Sequence, residues 1–358
     1  MNTLNSFNNS KQLLIIVPDL VTGGGERVTR ELITELASQS YNIRLVSNLT
    51  NQLLSQLPLA SHRRLDWQRK IQRYKIVASE LLRCDSHTNI LVVLTGPIIL
   101  VGLLNLIFGR SVIAYEHSDI EKLYLNSGKY KRKLRLLGLR AAFHSIRRVA
   151  VVSDYLCERL PIVIGCDCKK VAVIRNPVQP FLQKIPCKPT SQTSTFLTAY
   201  IIGRNSQEKR HREAIELLAA SPLVEKIVLV AREATTLREH LSYRAISKLD
   251  ILESLSEISS FNTNKSFLFS YSIVESYSLV IAEWLASQLK VLTVDNEPMR
   301  RLWQHCHGSY FVPEICSIGE LETALKHIFD DKHIDARSFF EPTSTKSSGD
   351  DLIKLLTN

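Results

Sequence analysis

Short, β-rich apolar runs alternate with helix-period stretches through most of this chain, in two series. The first passes through QLLIIVPDL, YNIRLVS, NILVVLT, RSVIAYEH, RRVAVVS and KKVAVIRN, the second through FLTAYIIGR, EKIVLVAR, SFLFSY and LKVLTVD. Runs without strict alternation read as strands covered on both faces, as in parallel sheets with crossover helices. A chain of 358 residues has room for two such domains. The Pro-, Ser- and Thr-rich stretch QPFLQKIPCKPTSQTSTF between the series is the best linker. The expected class is α/β: two Rossmann-like, doubly wound domains at residues 1–185 and 186–340, with a tail at 341–358 that packs back on the first. Doubly wound sheets bind ligands beyond the carboxyl ends of their strands, so two facing domains predict a cleft between them.

Composition narrows the partners. A charged fraction of 22% and a hydrophobic fraction of 45% suit a water-soluble globular protein. Lys and Arg (45) exceed Asp and Glu (35), and the net charge of +10 favours phosphorylated ligands, anionic lipid or nucleic acid. Seven scattered cysteines, an odd number, argue for reduced thiols in a cytoplasmic setting. The opening MNTLNSFNNSKQ has no apolar core of a signal peptide. Ile90 to Phe108 is long and apolar enough to span a bilayer. Gly96-Pro97 and the strand RSVIAYEH that follows favour a buried strand, a turn and a buried helix instead.

Gly23, Gly24 and Gly25 stand where the first strand gives way to a helix with Val28, Leu32, Ile33, Leu36 and Ala37 on one face. Two readings are open: a tight turn, or a backbone cradle for phosphate at the positive end of a helix. In the second half, Gly203 and Arg204 end a strand and Lys209 follows as a helix begins. Two cations and free helix amides there suit a pyrophosphate. The alternative is a solvated basic helix, since Arg210, His211 and Arg212 crowd the same place. Glu275 and Glu283 lie eight apart in SYSIVESYSLVIAEWLASQ. With Glu275 in a loop and Glu283 in the next helix, both can reach one ligand, and carboxylates accept hydrogen bonds from vicinal hydroxyls. Glu283 sits among apolar residues, where a lone carboxylate is costly, so a partner is expected for it.

Together these stretches resemble the retaining glycosyltransferases of the GT-B fold, family four. That family reads Gly-Gly-Ala-Glu-Arg where this chain has GGGER, Gly-Arg and then Lys where this chain has Gly203, Arg204 and Lys209, and Glu-x7-Glu where it has Glu275 and Glu283. RVAVVSDYLCERL with VAVIRNPV, and the His of YEHSD, also match its first domain. The resemblance implies a nucleotide-diphosphate sugar as co-substrate and no cofactor. Gly23 and Gly24 would approach the donor phosphates, and Arg204 and Lys209 would neutralise the leaving diphosphate. Glu283 would hold the ribose. Glu275, with the amides of Ser276, Tyr277, Ser278 and Leu279, would hold the transferred sugar, and His117 would line the sugar or acceptor side.

The chain departs from the pattern in places. Ala231-Arg232-Glu233 replaces Gly-Asp-Gly, Ser276 and Ser278 replace glycines, Gln288 and Lys290 replace Gly and Pro, and Trp284 replaces alanine. A catalytically silent sugar-nucleotide-binding or scaffold protein of the same fold is the alternative. No Asp-x-Asp occurs, which removes the usual metal clamp on a diphosphate. The clusters CDC (166–168) and HCH (305–307) are too compact for structural zinc, and no metal site is expected. Adjacent residues in HSD (117–119) cannot form a hydrolase triad. Finally, Lys129 to Arg148 carries many cations among leucines and no acid. That pattern predicts docking on an anionic membrane surface, the alternative being a solvated helix packed through its leucines. No nucleic-acid motif accompanies the charge, so nucleic acid is not expected. The sequence therefore predicts a cytoplasmic, metal-independent, retaining glycosyltransferase, peripheral on the inner face of the cell membrane, acting on a glycan or lipid-linked acceptor.

Overall fold

The computed structural model describes residues 11–18, 20, 23–49, 54–66, 69–120, 129–187, 196–330 and 343–357. They form two units, Met1–Pro177 with Thr343–Asn358, and Val178–Pro342. The first unit holds a seven-stranded sheet: β1 (Lys11–Ile16), β2 (Tyr41–Ser47), β3 (Ser61–Arg64), β4 (Asn89–Val93), β5 (Val112–Glu116), β6 (Arg148–Val151) and β7 (Val171–Val173), in the order β3-β2-β1-β4-β5-β6-β7. Every pairing is parallel. The second unit holds six parallel strands: β8 (Leu197–Ile202), β9 (Val224–Val230), β10 (Leu249–Leu252), β11 (Ser266–Ser270), β12 (Lys290–Val294) and β13 (Ser309–Val312), in the order β10-β9-β8-β11-β12-β13. The central strands are apolar on both faces because helices cover both. Leu13 to Ile16 and Ile113 to Tyr115 have no exposed surface.

Three strands escape the sequence pattern: β3, β10 and β13, all at sheet edges. Edge strands are covered less and so need fewer apolar residues. Ser61–Arg64 has none, and Arg63 pairs instead with the buried Glu80 at 2.7 Å. The apolar stretch after β4 folds as expected into a helix, Thr95–Phe108, though Gly96 and Pro97 lie in its first turn rather than before it. No described helix is long and apolar enough to cross a membrane.

The division falls at 177/178, not at 185/186. The intervening segment packs into the second unit, where Phe181 lies 4.2 Å from the Trp284 ring and the Leu182 amide donates to Ser287 Oγ at 3.0 Å. Trp284, with Phe181, Tyr200 and Phe261, fills the core under the helix Leu279–Leu285, which explains an indole where alanine is common. The C-terminal helix Thr345–Thr357 lies in the first unit; Ser348 Oγ donates to the Arg175 carbonyl at 2.7 Å and Gln39 Nε2 to Asp350 Oδ1 at 3.1 Å.

Three of the replaced glycines keep a left-handed backbone: Glu233 (φ 56°), Ser278 (φ 55°) and Gln288 (φ 58°). Gln288 closes the helix Leu279–Leu285 as a Schellman turn, its amide donating to the Leu285 carbonyl at 2.9 Å and that of Leu289 to Trp284 at 3.2 Å. Its exposed side chain carries the steric cost of a Cβ in this region. Gln288→Gly should therefore stabilise the protein by about 0.5–1 kcal/mol, the lost Cβ strain outweighing the added freedom of the unfolded chain. Urea unfolding of the two proteins checks this.

Candidate functional site

In the second sheet the chain winds outward in both directions from β8, so the crevice of a doubly wound sheet opens between β8 and β11. The residues following these two strands are the expected ones. After β8 come Gly203 and the exposed Arg204, then a single turn, Gln207–Lys209, and the helix His211–Ala220. After β11, Glu275 lies in the loop that leads to the helix Leu279–Leu285. The loops are joined by backbone: the Ile273 amide donates to the Glu208 carbonyl at 3.0 Å, and Ser272 Oγ to the same oxygen at 3.2 Å. On that frame Lys209 Nζ forms an ion pair with Glu275 Oε1, the two side chains only 22% and 10% exposed. A lysine and a carboxylate so placed give a cationic and a hydrogen-bond-accepting group within reach of one small ligand.

Glu283 is almost fully buried, as its apolar helix suggested, and its partner is Lys184 of the segment leading into the unit. The sequence argument for a partner thus finds it within the chain. Ribose hydroxyls at Glu283 would have to share the carboxylate with Lys184. Tyr277 packs its ring against Trp303 at 5.7 Å, while Ser278 stands at the N-cap position of the next helix and Leu279 begins it. The crowd of cations at 210–212 resolves into three roles. Arg210, at φ 51°, stacks 4.4 Å from the Tyr271 ring centroid and donates to the Glu314 carbonyl at 3.0 Å. His211 is buried and Arg212 exposed, so the stretch is not a uniformly solvated face.

The other expected residues lie in the first unit. Gly23 (φ 107°) caps the helix Gly24–Ser38. A Cβ there would fall 2.5 Å from Glu26 Oε2, so a carboxylate of the chain already lies at this helix mouth. Gly25 stands where the resembled family has alanine, and its neighbour explains that: a Cβ would come within 3.2 Å of His117 Cγ and 3.4 Å of Leu94 Cδ2. The His117 ring also lies 4.2 Å from that of Tyr115. Enclosure pushes the His117 imidazole down to about 3, so it is neutral at physiological pH. The structure thus gathers Gly25 and His117 in one unit and Gly203, Lys209 and Glu275 in the other.

Glu116, beside His117, went unread in the sequence, although a carboxylate ending the apolar run VIAYE was a visible anomaly. It has no exposed surface, and its Oε1 accepts the Ser118 amide at 2.9 Å, holding the turn that carries His117. Asp119 closes the same turn by accepting the Tyr155 hydroxyl at 2.9 Å. Burial pushes the Glu116 carboxyl up to about 7, against the opposing pull of the Thr95 hydroxyl and the nearby amides.

Residues 22–180 match the family model described as Glycosyltransferase Family 4. The first unit carries a family 4 glycosyltransferase domain, and the chain is a glycosyltransferase. Solved structures show the fold of the whole. HepE of Anabaena, in complex with UDP and glucose, is 12% identical with a TM-score of 0.72, covering 97% of this chain and 99% of that one. The lipopolysaccharide outer core galactosyltransferase WaaB is 12% identical, TM-score 0.67, over 97% and 99%. Sucrose-phosphate synthase of Thermosynechococcus elongatus is 12% identical, TM-score 0.67, over 97% and 94%. No curated protein sequence matches. The glycosyltransferase therefore has the GT-B architecture of two parallel-sheet units.

The buried Glu116 makes a pH-dependent contribution to stability. Its folded-state value lies above the ordinary 4.5, so its burial costs nothing while both states are protonated and costs progressively more as pH rises through 7. Glu116→Gln keeps the hydrogen bonds of the neutral acid and removes that cost. Urea unfolding should show a gain over the parent that is small at pH 5 and grows to as much as ~3 kcal/mol at pH 8.

Proposed function

We propose that this glycosyltransferase is retaining and metal-independent, moving a hexose-type sugar from a nucleotide diphosphate to a glycan or lipid-linked acceptor in surface polysaccharide or glycolipid assembly. The observation that carries the reading is the Lys209–Glu275 pair at the switch point of the second sheet. In this reading the donor diphosphate sits by Gly203 and takes up Lys209 and Arg204, while Glu275 turns to the sugar hydroxyls. As the glycosidic bond breaks, negative charge gathers on the departing diphosphate. Fixed cations in a low-dielectric crevice stabilise that charge more than the ground state. With no Asp-x-Asp in the sequence, side-chain cations take the place of a metal clamp. HepE, crystallised with UDP and glucose, supports a nucleotide-sugar donor of that kind.

Lys209→Ala should lower kcat by about 10²–10³ and weaken donor binding far less, as expected of a group that acts on developing charge. Glu283→Gln should mainly raise the donor KM. Steady-state kinetics with a confirmed donor, in the presence of EDTA, tests both assignments and the metal independence. A Lys209→Ala enzyme within threefold of wild type rejects the role of the lysine. Activity that vanishes with EDTA and returns with Mg²⁺ or Mn²⁺ rejects the metal-free reading.

The membrane reading belongs to the helix Lys129–Ser145. Leu139, Ala142 and Phe143 pack inward, whereas Leu134 and Leu137 are 73% and 52% exposed beside exposed Lys133 and Arg140. Leucines turned to solvent among cations support peripheral docking on anionic lipid over a helix packed through all its leucines. Vesicle sedimentation should show binding that rises with anionic lipid, falls with salt, and drops at least fivefold in the double variant Leu134→Glu with Leu137→Glu.

A further inference from the structure

His211 opens the helix His211–Ala220 and has only 4% of its surface exposed. Its Nδ1 is buried and makes no hydrogen bond among the described residues. Its other nitrogen faces the donor side of the sheet. A Cβ added to Gly203 would lie 3.8 Å from His211 Nε2 and 3.9 Å from Lys209 Cε, so the imidazole and the lysine converge on the same glycine. Gly203 itself, at φ 155°, has a backbone that side-chain-bearing residues rarely adopt. The free amides of a ten-residue helix begin at this point.

Packing alone does not account for a histidine here. A buried imidazole with an orphaned nitrogen is a worse filler than leucine, because the desolvated nitrogen gains nothing in return. The polar atom that remains useful is the one aimed at the glycine. We propose that His211 is a further donor-binding residue, its Nε2–H donating to a phosphate oxygen of the nucleotide diphosphate beside Lys209.

This rests on the donor reading above and adds to it a neutral, titratable hydrogen-bond donor. The charged groups facing His211 are Lys209 and Glu208 on the preceding turn, with Glu275 of the loop after β11 paired to Lys209. Burial, then Lys209, holds the imidazole down to about 4 in the free protein. A phosphate anion accepting from Nε2 favours the protonated ring and raises that value. Donor binding is then coupled to proton uptake, and affinity increases as pH falls.

Calorimetric titration with UDP-glucose and with GDP-mannose between pH 7.5 and 5.5 tests this, since neither pyrophosphate diester titrates in that range. Wild-type affinity should rise threefold or more across the interval. His211→Gln, which can donate but cannot titrate, should bind within threefold of wild type at pH 7.5 and show no such rise. His211→Leu should bind about tenfold more weakly. In wild type, ¹⁵N-histidine spectra should show the His211 ring shifting with donor, a readout that does not depend on any variant folding. If wild type binds a donor and Lys209→Ala weakens it, but the His211 ring does not move and His211→Leu binds as wild type, the donor reading stands and the role of His211 is overturned. If neither nucleotide sugar binds wild type, the donor reading falls and this proposal with it.

Discussion

A parallel sheet that winds outward in both directions from one strand leaves a gap at that strand's carboxyl end, because the two crossovers leave on opposite faces. In the second unit that strand is β8, and the gap lies between it and β11. The placing of Lys209 and Glu275 side by side follows from this constraint. Lys209 and Glu275 are far apart in the chain, yet each follows one of the two strands flanking the gap. The hydrogen bonds from Ile273 and Ser272 to Glu208 hold the two loops in register, so the ion pair between them needs no further scaffold.

Buried charge is the second theme, and it is handled differently at each place. Lys209–Glu275 and Lys184–Glu283 each set a carboxylate against an ammonium group, which offsets the desolvation of both. Glu80 gathers Arg63, Arg83 and Arg44 at 2.7, 3.1 and 3.6 Å, fastening the polar edge strand β3 to the rest of its sheet. Glu116 has no counter-charge among the described residues and responds by holding its proton into the neutral range. The first two pairs each hold a carboxylate and an ammonium group together at low exposure. Glu116 has no exposed surface. It serves the turn of His117 from behind.

The departures from the family pattern acquire a physical meaning in the folded chain. Glu233, Ser278 and Gln288 hold left-handed conformations where glycine is common, so the loops keep their course while gaining side chains. Lys290, where proline is common, reaches the Ile328 carbonyl and lies 4.8 Å from the Phe329 ring centroid. The loss of those glycines therefore does not by itself dismantle the site.

How much could be read in advance divides along physical lines. Periodicity and apolar runs were enough for the class of fold and for ten of the thirteen strands, because a strand buried on both faces must be apolar throughout. They missed β3, an edge strand with no apolar residue that is held by backbone pairing, and the short four-residue edge strands β10 and β13. Local motifs pointed to Gly203, Lys209, Glu275 and Glu283, whose chemistry is unusual for their surroundings. Partnership was not legible: that Glu283 meets Lys184, that Gly25 makes room for His117, and that His211 turns inward while Arg210 and Arg212 do not. Residue type and spacing are local properties, and they determined the elements and the candidate groups. Contacts between residues tens of positions apart depend on strand order and on how each helix is rotated over its sheet, which no short stretch encodes. Only the tertiary structure decided those.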